Sequence, residues 1–323
     1  MIYDDIKNFN KQFDYKPAVE NSNGLKKKFN KFLVAGMGGS HLAADILKAW
    51  KPDLDIVIWN DYGLPTLRDI KDRLIIASSY SGRTEETVDA FNTAKAKHLA
   101  VAAVSAGGKL IALAQKFKTP YVQLPDWHMQ PRMALGLSLK AILALLGNRK
   151  GLHEASELAK KIHPSRQEAS GKVLAKRLYE SIPVIYISLR NASIAYNWKV
   201  KFNETGKIPA FYNVLPELNH NEMTGFDAKP RTAGLSKRFH FIFLKDVEDD
   251  RRVIKRMNIL EKLYRDRGHK VEVIFLQGQS RLEKIFSSLN LADWTAYYTA
   301  KQYGVESERV PMVEEFKKLV SGR

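Results

Sequence analysis

Short runs of β-branched and apolar residues recur along this chain, each followed by a turn signal and then a helical pattern. That alternation constrains the fold more than any other feature, because it is the signature of parallel α/β units. In the first half, strands are expected at Phe32 to Ala35, Ile56 to Asn60, Leu74 to Ser78, Leu99 to Ser105 and Tyr121 to Leu124. The intervening helices fit His41 to Trp50, Glu85 to Lys97, Lys109 to Lys116 and Arg132 to Leu146. In the second half, strands fit Val184 to Leu189, Ala210 to Val214, His240 to Leu244 and Val271 to Leu276. Helices there fit Ile194 to Glu204, Asp249 to Arg267, Arg281 to Tyr303 and Val313 to Val320. Two α/β lobes follow, residues 1–150 and 151–323, with the division in the polar, Gly- and Pro-broken stretch around residues 150–170.

Composition bounds the chemistry. With 323 residues, 45% of them apolar, the chain can bury a substantial core. It has no cysteine, which excludes disulfides, thiolate nucleophiles and Cys-ligated metal. The N-terminal run MIYDDIKNFNKQFDYKP lacks the apolar stretch of a signal peptide. The apolar segment Ala134 to Gly147 is too short to cross a bilayer. A soluble, cytoplasmic protein is expected, without a membrane partner. The formal net charge of +17 favours anionic partners, either nucleic acid or phosphorylated metabolites. The basic residues are dispersed, and their densest runs, Lys26 to Lys28 and Lys199 to Lys207, are short. No zinc-finger spacing, RNA-binding aromatic motif or zipper heptad accompanies them, so no nucleic-acid partner is expected.

Two strand-to-helix turns carry candidate ligand-binding residues. Gly36-Met37-Gly38-Gly39-Ser40 leaves the first strand. Its Gly38, Gly39 and Ser40 let backbone amides approach an anion at a helix N-terminus. The spacing is neither that of a dinucleotide fingerprint nor that of a P-loop, and a tight turn without a ligand explains it equally well. Ser78-Ser79-Tyr80-Ser81-Gly82-Arg83-Thr84-Glu85 leaves the third. There Ser79, Ser81 and Thr84 can aim three hydroxyls at one point beyond the strand end, as neutral donors hold a phosphate. Thr84 alone would serve as a helix N-cap, but a cap needs one hydroxyl and several cluster here.

The SYSGRTEET segment resembles the phosphate loop of SIS (sugar isomerase) domains. GMGGS, PRMALG, and the NETGK and PELNHNE pieces of Lys199 to Phe226 resemble the bifunctional phosphoglucose/phosphomannose isomerase family. The resemblance implies two SIS-type lobes, each a parallel sheet flanked by helices, with the phosphate loop in the first. The second would carry the catalytic Glu and His and the C-terminal helix. It implies an aldose–ketose isomerase of glucose 6-phosphate, fructose 6-phosphate and mannose 6-phosphate, within glycolysis and gluconeogenesis, needing no cofactor and no metal. The chemistry fits: the resemblance makes Glu204 the base that moves a proton between C2 and C1, and His220 the group that opens the ring, histidine being a side chain suited to proton transfer. A metal set of Glu217, His220 and Glu222 is conceivable, but no second histidine stands at helical spacing. By resemblance, Arg132 stabilises the enediolate, Lys317 (or Lys318) assists ring opening, and a homodimer shares His220 across its interface. Arg83 departs from the pattern, which leads one to expect a smaller polar residue there.

The alternatives are a sugar-phosphate sensor without catalysis and an isomerase of another sugar phosphate. The candidate base Glu204 argues against the first, PELNHNE against the second.

Overall fold

The computed structural model describes residues 2–24 and 28–320; Lys26 and Lys27 of the basic run lie outside them. The chain divides into two compact units. The N-terminal unit is Lys7–His163 with Ser280–Glu283, and the C-terminal unit is Pro164–Gln279 with Met1–Ile6 and Lys284–Arg323. A division after residue 150 would cut helix Arg149–Ser156. That helix and Leu158–Lys161 belong to the N-terminal unit because they pack on Leu135–Leu145 and on the 3-10 segment Phe9–Asp14.

In the N-terminal unit, β1 (Lys31–Ala35), β2 (Asp55–Trp59), β3 (Arg73–Ser78), β4 (Val101–Ser105) and β5 (Tyr121–Gln123) form one sheet. Its order is β2-β1-β3-β4-β5 and all its pairs are parallel. Every residue of β3 and β4 is buried, as a parallel sheet covered on both faces demands. On one face Leu33, Ala35, Ile75, Ala77, Val101 and Ala103 pack with Phe91 and Leu110 of the flanking helices. Helix Leu135–Leu145 is apolar but for Ser138 and Lys140 and is buried at every position but Ala144, which is why its sequence has no polar stripe. The strand order reverses between β1 and β3, so the loops after these strands meet at the C-terminal edge of the sheet, where open α/β sheets bind ligands.

The C-terminal unit repeats the plan with β6 (Ile182–Ser188), β7 (Phe211–Leu215), β8 (Phe239–Lys245) and β9 (Lys270–Phe275), in the parallel order β7-β6-β8-β9. An aromatic core of Tyr186, Phe241, Phe243 and Tyr264 joins β6 and β8 to helix Arg251–Asp266. Asp250 starts that helix by accepting the Arg252 amide at 2.8 Å. The terminal helix Pro311–Val320 is exposed along its length. Among the described residues, no helix is long and apolar enough to cross a membrane.

Candidate active site

The loops after β1 and β3 are locked together by short contacts. Ser78 Oγ donates to Ser40 O at 2.9 Å, and the Tyr80 amide donates to Ser40 Oγ at 3.0 Å. Gly36 and Gly39 are required by close approach. A Cβ on Gly36 would lie 2.7 Å from Ser78 O, and one on Gly39 would lie 2.6 Å from the Arg132 amide nitrogen. The glycines of GMGGS therefore let three backbone segments converge: the turn after β1, the turn after β3, and the 3-10 turn Pro131–Met133.

Within the second turn, Ser79 is fully buried and its Oγ lies 2.8 Å from Thr84 Oγ1. The Gly82 amide donates to Ser79 Oγ at 3.1 Å, and the Arg83 amide to Ser81 Oγ at 3.3 Å. Thr84 occupies the N-cap of helix Glu85–Ala96, yet its hydroxyl makes no capping bond. It pairs with Ser79 instead, so the simple capping role is not the one adopted. The first-turn amides of that helix lack intrahelical acceptors and carry the positive end of its dipole, which suits an anion. Ser81 and Arg83 are exposed at the rim.

A third segment supports this turn. Ser105, the last residue of β4, donates its hydroxyl to Tyr80 O at 3.2 Å and to Gly107 O at 2.8 Å. Gly82 and Gly108 have φ of +65° and +71°, and their added Cβ atoms would meet Gly107 O at 1.8 Å and Ser81 O at 2.4 Å. Sequence reasoning missed Ser105–Gly108. The signal was available, since Ser-Ala-Gly-Gly is a third strand-to-helix turn of small residues.

Arg132 is 1% exposed, which removes a surface role; its Nη1 donates to Gln130 Oε1 at 3.4 Å. The single helix expected from Arg132 to Leu146 is two elements, the 3-10 turn and Leu135–Leu145, with the break at Ala134. The N-terminal unit thus gathers Gly38, Gly39, Ser40, Ser79, Ser81, Thr84 and Arg132 at one edge of its sheet.

The remaining candidates belong to the C-terminal unit. Glu204 is the last residue of helix Ala192–Glu204 and is half-buried. Its carbonyl accepts Lys207 Nζ at 2.6 Å, and the same ammonium bonds Arg309 O. Earlier in the helix, the fully buried Lys201 pairs with the equally buried Asp293 of helix Arg281–Gln302. His220 is exposed and closes the 3-10 turn Glu217–His220, beyond the C-terminal end of β7. Glu222 anchors this segment, accepting from Tyr186 Oη at 2.6 Å and from Asn213 Nδ2. Burial, with Tyr264 and the Glu222 carboxylate beside it, pushes the Tyr186 phenol far above its ordinary range, so it stays a donor. Glu217 accepts from Asn221 at 3.0 Å. Both carboxylates of the conceivable metal set thus have structural partners. Lys317 and Lys318 are exposed on the terminal helix.

The C-terminal unit separates two of its candidates. Helix Ala192–Glu204 follows β6 and packs along it, so Glu204 lies at the edge where the parallel strands begin, whereas His220 follows the end of β7. A helix of 13 residues is about 20 Å long. The two side chains therefore stand at opposite ends of one sheet.

Comparison with known proteins finds relatives over most of the chain. A family model described as the bacterial phospho-glucose isomerase C-terminal SIS domain matches residues 167–320. A bifunctional phosphoglucose/phosphomannose isomerase of Caldicellulosiruptor bescii is 35% identical over 306 residues, spanning 89% of this chain and 88% of that protein. One from Aquifex aeolicus is 31% identical over 324 residues, spanning 98% and 97%. Among solved structures, the C-terminal domain of glucosamine-fructose-6-phosphate aminotransferase from Francisella tularensis has a TM-score of 0.70 at 14% identity. That match covers 95% of this chain and 96% of the other, and is a likeness of fold alone. Paired parallel sheets and a hydroxyl-lined turn at the strand-order reversal define a protein of the SIS phosphosugar-isomerase class. Within that class, the chain belongs to the bifunctional phosphoglucose/phosphomannose isomerase family.

Proposed function

We propose that this protein interconverts glucose 6-phosphate and fructose 6-phosphate and accepts mannose 6-phosphate by the same route. The observation that carries the reading is the Ser79–Thr84 hydroxyl pair, built into the N-terminus of helix Glu85–Ala96 and not consumed in capping it. Ser79, Ser81 and Thr84 bind the phosphate, together with the backbone of Gly38, Gly39 and Ser40. His220 moves the proton that opens the sugar ring, and Lys317 assists. Glu204 takes the C2 proton of the aldose and returns it to C1, while the hydroxyl proton of C2 passes to the oxygen on C1. The pair of electrons released at C2 forms the enediolate double bond, so nothing is oxidised or reduced overall. Arg132 faces the negative charge that develops on the enediolate oxygens. Glucose and mannose phosphates differ only at C2, which is planar in that intermediate, and one site serves both. Protein groups handle all the charge, and no metal is part of the reading.

The opposite placement of Glu204 and His220 supports a homodimer in which each active site takes its His220 from the partner copy. The test of the reaction is a coupled assay in EDTA, converting fructose 6-phosphate to glucose 6-phosphate, with Glu204→Gln beside the wild type. Turnover lost in the variant supports reaction and base together. Turnover that survives it removes Glu204 as the base, and binding without any turnover replaces the isomerase with a sugar-phosphate sensor.

A further inference from the structure

Arg132 is held from a distant part of the chain. Gln12, in the 3-10 segment Phe9–Asp14, is 1% exposed. Its Nε2 donates to Met133 O at 2.8 Å, and its Oε1 accepts the amides of Gly136 at 3.0 Å and Leu137 at 3.4 Å. One primary amide thus satisfies the carbonyl beside Arg132 and the first amides of the next helix. Ala134 sits at the N-cap of that helix and offers no side-chain cap, so Gln12 is its cap, supplied from 124 residues away in sequence. The fit is reciprocal, since a Cβ on Gly136 would lie 2.8 Å from the Gln12 Cβ. The neighbouring residue is tied down as well: buried Lys140 donates to Phe13 O and, at 2.9 Å, to Ser156 Oγ. With Gly39 pressed against the Arg132 amide, the backbone of this turn is fixed from both sides. A buried amide is tolerable only when its polar atoms are bonded, and here they are spent on the turn that carries the buried Arg132.

We propose that Gln12 is a positioning residue for the isomerase reaction, setting where the 3-10 turn ends and so where the Arg132 guanidinium is presented. The inference rests on the reading of Arg132 as the cation facing the enediolate. Misplacement of a catalytic group by about 1 Å can cost on the order of 100-fold in rate. Gln12→Met, which keeps the volume and removes the bonds, is expected to lower kcat by about 10- to 100-fold with KM for fructose 6-phosphate unchanged. Gln12→Glu keeps the acceptor for the Gly136 amide and is expected to fall between it and the wild type.

The deciding measurement combines each substitution with Arg132→Ala. Affinity for 5-phosphoarabinonate, whose carboxylate stands in for the enediolate, is measured alongside by calorimetry. If Gln12 acts through Arg132, Gln12→Met costs nothing further in the Arg132→Ala background, and aldonate affinity falls with kcat. Equal losses in both backgrounds overturn the inference, as does a wild-type kcat in Gln12→Met beside a slow Arg132→Ala. Wild-type kcat and aldonate affinity in Arg132→Ala would instead remove the role of Arg132, and that of Gln12 with it. Should Gln12→Met fail to fold, Gln12→Glu carries the same comparison.

Discussion

A methyl group at Gly82 would sit 1.8 Å from the Gly107 carbonyl oxygen, on a backbone with φ of +65°. The lack of space excludes any side chain, and the left-handed conformation would add strain to one. Gly82→Ala is expected to push the proposed phosphate-binding turn off the β4 loop, raising KM for the sugar phosphate and lowering Tm; an assay beside a melting curve checks both. The glycine is legible in the sequence as a turn residue, but its reason lies in a carbonyl that only the fold brings near. His240, in β8, is a second case. It is almost fully buried, and desolvation, outweighing the attraction of Glu272, lowers its pKa from 6.5 to about 4. Because the folded-state pKa is depressed, the unfolded chain takes up the proton first. The contribution to stability is full above pH 6.5 and is lost as pH falls toward 4. His240→Phe is expected to flatten the decline of Tm between these values, and Tm measured across pH in both proteins tests it.

At the scale of elements, helix Ala192–Glu204 carries the proposed base at its last residue and is held by the buried pair of Lys201 and Asp293. Removing one partner of such a pair leaves a charge without compensation, at a cost of about 3–5 kcal/mol, whereas replacing both by apolar groups is often near neutral. Lys201→Met is therefore expected to be strongly destabilising, and Lys201→Met with Asp293→Leu to recover most of the loss in urea denaturation. The helix itself was legible from its pattern, as were most strands to within a few residues. The pairing was not, because Lys201 reads locally as one more lysine of a basic run. The turn after β3 was legible for a different reason: its hydroxyls are clustered in sequence as well as in space. Helix Leu135–Leu145 shows the limit. Its apolar run marks a buried helix, but nothing local reveals that the run breaks at Ala134 or that Gln12 supplies the cap.

For the whole molecule, the proposed sharing of His220 makes a quantitative claim. If each site combines Glu204 of one protomer with His220 of the other, Glu204→Gln and His220→Ala are each inactive alone. A heterodimer of the two has one site with both residues intact. Random pairing of equal amounts then restores about one quarter of wild-type activity, while sites confined to one chain restore none. Coexpression of the two variants with an activity measurement decides between them. The sequence by itself determined the α/β class, the two-lobed plan and the hydroxyl-rich turn after β3, because each is written in neighbouring residues: strand periodicity, turn glycines and clustered hydroxyls. The division at His163 falls within the polar stretch around residues 150–170, and the helices after residue 148 stay with the N-terminal unit because they pack on Leu135–Leu145 and Phe9–Asp14. Only the tertiary structure decided that Arg132 is buried, that Glu204 and His220 stand at opposite ends of a sheet, and that Gln12 reaches Met133 and Gly136. Those outcomes depend on contacts between segments more than 100 residues apart or on the path of a whole crossover, and no local pattern encodes either.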